Sequence, residues 1–157
     1  MKSGGFHLST IDKVLSWARS SSLWYVTTGG GCCADEILAA MGPRYDLERF
    51  GCVQQIDPRQ ADLLIVTGLI SYKAATHLRA LYDQMPAPKY VMCLGSCATG
   101  GGPFAPEFSY GVVPGADRIV PVDIYVPGCP ARPEAIMNGL ITLQEKIRGH
   151  QRSHPQA

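Results

Sequence analysis

The sequence predicts an α/β domain built on a mostly parallel sheet with helices on both faces. Short apolar runs, among them Leu63-Leu64-Ile65-Val66 and Tyr90-Val91-Met92-Cys93-Leu94, are unbroken by polar residues, as strands buried on both faces are. Segments with apolar residues at helical spacing stand between them, so strand and helix alternate along the chain. At 157 residues, with no internal repeat or linker, the chain is expected to form a single domain with a sizeable core.

Taken in order, residues 1–9 read as an N-terminal extension. Ser9 with Asp12 three positions on has the pattern of a capping box, and Ile11, Val14, Leu15 and Ala18 follow at helical spacing, predicting a helix over 10–20. Its apolar stripe, with Trp17, suits either a membrane or partner surface or ordinary packing on the core. Leu23–Thr28 is β-branched and aromatic and predicts a strand that runs into Gly29-Gly30-Gly31. Ala34–Met41 reads as a helix ended by Gly42-Pro43, and residues 44–51 as a turn with a short element alongside. Leu63–Val66 is the next strand. A helix then uses Ala75, Leu78, Leu81, Tyr82 and Met85 until Pro86 and Pro88 prevent its continuation.

Tyr90–Leu94 forms the third strand. The Gly- and Pro-rich stretch from Gly100 to Pro114 is expected to be ordered only by contact with something else. Asp123–Val126 is a fourth strand. Pro133 suits the first turn of a last helix with Ile136, Leu140, Leu143 and Ile147 on one face. The folded domain is thus expected over 10–148, with 149–157 a mobile polar tail.

Charged residues make up only 17% against 46% hydrophobic, and the formal net charge is +1. So thin a charged surface points to contact with other subunits, and so balanced a charge argues against binding nucleic acid. Met1–Thr10 has one Lys and no apolar core, which argues against a signal peptide, and no run reaches the roughly 18 apolar residues of a spanning helix. An intracellular location is therefore expected, and there six cysteines read as ligands or core thiols before disulfides.

Four of the six lie in small, turn-forming settings: Cys32 and Cys33 behind three glycines, Cys97 in Gly95-Ser96-Cys97-Ala98, and Cys129 in Pro127-Gly128-Cys129-Pro130. Each setting follows a predicted strand, so all are expected at the carboxyl edge of the sheet, where open α/β folds place ligands. Four thiolates suit zinc or an iron–sulfur cluster. Zinc sites usually draw on C-x-x-C pairs, which are missing. Two adjacent cysteines in a flexible Gly loop are awkward on one tetrahedral ion and easier on a cube, where they bind different irons. The spacing therefore favours a cubane cluster over zinc, with disulfides, core thiols and redox catalysis as the remaining readings. Cys52 and Cys93 read as packing residues. No Gly-rich loop leads to Lys-Ser/Thr and no G-x-G-x-x-G follows a strand, so a flavin or nucleotide site has no support. The four histidines lie outside the Cys loops.

The segments GCCADE (31–36), RYDLERFG (44–51), PRQADLLIVTG (58–68), LYDQMPAPKYV (81–91), GSCATGG (95–101) and DRIVPVDIYVPGCP (117–130) resemble the B subunit of respiratory complex I, the NADH–quinone oxidoreductase, over nearly all of residues 10–147. The resemblance implies a flavodoxin-like fold shared with the small subunits of nickel–iron hydrogenases. It implies one 4Fe–4S cluster, the terminal one of an electron chain, held by Cys32, Cys33, Cys97 and Cys129. Quinone is the implied substrate, in a pocket shared with a hydrogenase-like large subunit, and Ala34, Asp35, Glu36 and Leu38 face that pocket. Glu36, Asp62 and Asp83 match acidic positions associated with quinone reduction and its proton coupling. A ferredoxin-like two-cluster subunit and membrane subunits are the further implied partners. The location implied is peripheral, on the cytoplasmic face of the cell membrane, and the chain is not expected to be active alone. The small subunit of an energy-converting nickel–iron hydrogenase is the second implied reading, although that branch normally spaces its first ligands C-x-x-C. Asp35, Gln55 and Ala87 depart from the family pattern, which usually has an apolar residue, an arginine and a glutamate there.

Overall fold

The computed structural model describes residues 5–105 and 109–150. A five-stranded sheet forms the centre: β1 (Leu23–Gly29), β2 (Cys52–Gln54), β3 (Leu63–Thr67), β4 (Tyr90–Leu94) and β5 (Ile124–Val126). Every pairing is parallel and the order is β2-β1-β3-β4-β5, so the flavodoxin-like α/β expectation holds. Tyr25 lies level with both Gln54 and Leu63, so β2 ends where β3 begins, and eight residues without an α-helix carry the chain across β1.

Alternation along the buried strands sorts the core into two layers. Leu63, Ile65, Met92 and Leu94 face α2 (Cys32–Met41) and α5 (Pro133–His150). Leu64, Val66, Val91 and Cys93 face α3 (Tyr72–Gln84), the short α4 (Gly95–Gly100) and residues 113–122. Cys52 and Cys93 are fully buried packing residues, as expected, and burial pushes their thiols up to about 11 and about 12.

Several elements differ from the sequence reading. α1 (Gly5–Ser21) is already helical five residues before the predicted start, since nothing between Gly5 and Ser9 stops a helix from propagating. The Ser9–Asp12 side chains lie outside the described residues; of the tail expected over 149–157, residues 149 and 150 still belong to α5, and 151–157 lie outside the described residues. Part of α1's stripe is not packed on the core: Val14, Leu15 and Trp17 are 58%, 44% and 64% exposed. Ser16 and Ser20 instead turn inward, and Arg148 of α5 donates from Nε to Ser20 Oγ at 2.9 Å. Strand β2 was not expected, because three residues on a sheet edge are too few to show a period.

The stretch after Gly100 does not wait for an outside partner. A 3-10 turn spans Gly102–Phe104, the Tyr72 amide donates to Gly111 O, and the Val113 amide donates to Ile70 O. Val112, Val113 and Ala116 are buried by the chain itself, and residues 106–108 lie outside the described ones.

Candidate functional site

The chain leaving the carboxyl ends of β1, β4 and β5 brings cysteine to the same edge each time, at the start of α2, within α4 and in the loop after β5. The predicted helix over 34–41 starts two residues earlier, so Cys32 and Cys33 form its first turn and are not loop residues. Gly31 makes this possible by turning the chain at φ 78° immediately before the helix. Adjacent helical side chains point about 100° apart. Cys33 accordingly faces the core beside Ile37 and Ala40, and Cys32 faces outward.

Glycine lets the other loops close on this pair. A β-carbon on Gly95, at φ 77°, would lie 2.6 Å from Cys33 Sγ and 3.2 Å from Gly128 O. One on Gly102 would lie 3.2 Å from Cys97 Sγ. The β4 and β5 loops are tied directly, since Ser96 donates to Gly128 O from its amide at 2.9 Å and from Oγ at 3.2 Å. The Ala131 amide, just past Cys129, is near enough to the Cys33 thiol to favour its ionised form.

The thiols feel one another. Burial is the main cause that raises Cys33, opposed by the Ala131 amide and reinforced by Cys32 and Cys97. Burial also raises Cys97, reinforced by Cys129 and Cys32. Four sulfurs that repel one another as thiolates are a donor set for a group carrying positive charge. Among the described residues no three His, Cys, Asp or Glu converge closely enough to grip one metal ion. Four thiols on one edge, with glycine beside two of the sulfurs, are a donor set suited to a thiolate-bound metal group.

The remaining predicted residues divide between two edges. Ala34, Asp35, Glu36 and Leu38 are on α2 with the cysteines. Asp35 and Leu38 follow Cys32 at i+3 and i+6 on its outward face, and Leu38 is 62% exposed. Glu36 is half-buried one helical turn after Cys32. Asp62 and Asp83 sit at the opposite edge of the sheet, the length of β3 away, roughly 16 Å at the usual rise per residue. Burial raises the Asp62 carboxyl, offset by the Trp24 amide and by Arg19. Asp83 pairs with Arg79 at 3.1 Å, near the end of α3. Sequence reasoning missed Tyr45 and Glu134: Tyr45 Oη donates to Glu134 Oε1 at 2.8 Å, joining the segment after α2 to the first turn of α5. Nothing local links residues 89 apart.

Residues 31–143 match the family described as the 20 kDa subunit of NADH–ubiquinone oxidoreductase, beginning at the residue before the cysteine pair. The chain belongs to this family. It is 51% identical over 145 residues to the B subunit of the NADH-quinone oxidoreductase of Amoebophilus asiaticus (strain 5a2), covering 92% of this chain and 90% of that one. Among solved structures it is similar to a chain of the membrane-bound sulfane sulfur reductase, an archaeal respiratory membrane complex, with TM-score 0.82 and 39% identity over 90% of this chain and 78% of that one. All four cysteines of the edge, and Tyr45 and Glu134, fall inside the part matched to the 20 kDa subunit family. No helix among the described residues is long and apolar enough to cross a membrane.

Proposed function

We propose that this chain is the electron-transfer subunit of a complex I-type enzyme, holding its terminal 4Fe–4S cluster and passing electrons to quinone. The observation that carries the reading is the meeting of Cys32, Cys33, Cys97 and Cys129 at one sheet edge, with the adjacent pair splayed by the helix that begins there. When bound, a cubane takes up and releases one electron at a time. The chain's own residues supply the rest. Gly95 and Gly102 keep space beside the sulfurs of Cys33 and Cys97, and the Ala131 amide favours negative charge on the Cys33 sulfur. The outward face of α2, with Ala34, Asp35 and Leu38, forms one wall of the quinone pocket against a hydrogenase-like large subunit. Two electrons and two protons convert quinone to quinol. Glu36 handles protons at this edge, and Asp62 and Asp83 act on proton supply from the opposite one. A ferredoxin-like two-cluster subunit delivers electrons, and membrane subunits hold the assembly on the cytoplasmic face of the membrane.

The similarity to a chain of an archaeal sulfane sulfur reductase complex favours a second reading, in which the same frame is the small subunit of an energy-converting nickel–iron hydrogenase-type complex and serves another acceptor. Low-temperature EPR of the anaerobically purified, dithionite-reduced complex separates the two. A fast-relaxing cubane signal that changes on adding a quinone analogue is the expected result. A cubane signal indifferent to the analogue moves the assignment to the other branch, and zinc in place of iron overturns both.

Position 55 offers an electrostatic test. Gln55 was expected near the cluster, but it is half-buried one residue past β2, its amide donating to Tyr25 O, level with the start of β3 and toward the edge away from the thiols. A positive charge favours the reduced, more negative cluster, so Gln55→Arg is expected to raise its midpoint by on the order of tens of millivolts. A redox titration followed by EPR reads this directly, and an unchanged or lower midpoint counts against it.

A further inference from the structure

Of the three strands whose carboxyl ends lead to cysteine, only β5 lies at the edge of the sheet. β5 is a three-residue edge strand, and Cys129 beyond it is exposed. Ser96 ties Gly128 to the β4 loop, and the Ala131 amide reaches Cys33. Both ties run through ligand residues or their immediate neighbours. Tyr45 and Glu134 supply a tie that does not.

We infer that the Tyr45–Glu134 hydrogen bond is a positioning strut that fixes the Cys129 loop against α2 and so protects a cluster held by the four thiols. The strut rests on the cluster reading of the site. Segment 42–51 returns from α2 alongside α5 and is bonded to it at two heights. Tyr45 Oη meets Glu134 at 2.8 Å, and the buried Gln144 donates from Nε2 to Phe50 O at 2.8 Å. Ten residues of helix, about 15 Å, separate the two anchors, and only the first lies in the helix turn that follows Cys129 and Pro130.

The charges around the strut fix which partner donates. Glu134 is lowered first by the Tyr45 hydroxyl, then by its own backbone amide, against the opposing effect of burial, with Arg132 and Arg44 adding lesser contributions. Tyr45 is raised first by Glu134, with Glu36 adding and Arg44 opposing. At neutral pH the tyrosine is therefore protonated and the glutamate ionised, a charge-assisted bond of defined polarity. Both groups are water-exposed, so the bond directs the loop more than it stabilises the fold.

The test uses the whole purified complex, with anaerobic iron release to a ferrous chelator, the EPR linewidth and the thermal midpoint as readouts. Tyr45→Phe keeps the ring and removes the donor; it is expected to speed iron release by roughly two- to fivefold and broaden the signal, with the thermal midpoint unchanged. Glu134→Gln keeps an acceptor oxygen but loses the charge, and its iron release is expected to fall between wild type and Tyr45→Phe. Gln144→Leu cuts the distant anchor and is expected to lower the thermal midpoint without changing iron release. Wild-type release in Tyr45→Phe, or equal acceleration in Gln144→Leu, overturns the strut. Absence of iron and sulfide from the wild-type complex would overturn the cluster reading and the strut with it.

Discussion

Replacing Cys97 by alanine is expected to abolish the cubane EPR signal of the reduced complex and to lower quinone reduction at least roughly 100-fold, while the protein still folds. Loss of signal follows from the central place of this thiol: Cys97 feels both Cys32 and Cys129, and Cys33 feels Cys97. Three thiols remain, and none of the nearby groups replaces the fourth. Tolerance of the fold follows from the surroundings. Cys97 sits within α4, where alanine is the best helix former, and its side chain is only half-buried. The packing that holds α4 comes from its neighbours Gly95 and Ala98, which are buried and unchanged. Changes to the groups that support metal ligands cost about 10- to 100-fold, and loss of a ligand exceeds them. Iron and sulfide analysis beside EPR and turnover decides the matter. A full cubane signal in Cys97→Ala removes this residue from the ligand set, and an insoluble variant would assign it a role in folding.

Gly68→Ala carries the second largest expected effect, on stability. Gly68 ends β3 at φ 66°, and a methyl there would run into the Gly30 carbonyl. Its counterpart Gly29, at φ 96°, would run into the Thr67 carbonyl. These obstacles are backbone, which cannot swing aside as a side chain can. Left-handed conformation alone costs roughly 1–2 kcal/mol for alanine, and separating β1 from β3 adds lost ladder bonds. A destabilisation of about 3–5 kcal/mol is expected for Gly68→Ala, with a weakened or lost cluster signal because β1 also positions Cys32. Gly30 is the internal control. No atom lies within 4 Å of a β-carbon there, so Gly30→Ala is expected to shift stability by no more than about 0.5 kcal/mol. Thermal midpoints of the two variants in the same complex test this, and equal midpoints would refute the close approach of the two strand ends.

The contrast between Gly29, Gly30 and Gly31 shows where sequence reasoning stops. All three read alike along the chain as a permissive turn before cysteine. Only the position of β3 decides that the first is locked against Thr67, the second open, and the third the left-handed step that starts α2. The same holds for the adjacent thiols. Their number and neighbours were legible, but that one faces the core and one the outside depended on a helix starting at Cys32.

By itself the sequence determined the parallel strands β1, β3, β4 and β5, the helices between them, the two packing cysteines, and the edge on which the four others meet. Those features come from periodicity, turn chemistry and apolar runs, which act over a few residues and are therefore written locally. Tertiary structure decided the features that join distant residues. It set the exposed Trp17 face of α1 against buried Ser16 and Ser20, and it put Asp62 and Asp83 at the edge away from the thiols. It also paired Tyr45 with Glu134 across 89 positions. No local pattern encodes such meetings, because the order of the strands and the crossings between them fix which ends lie side by side.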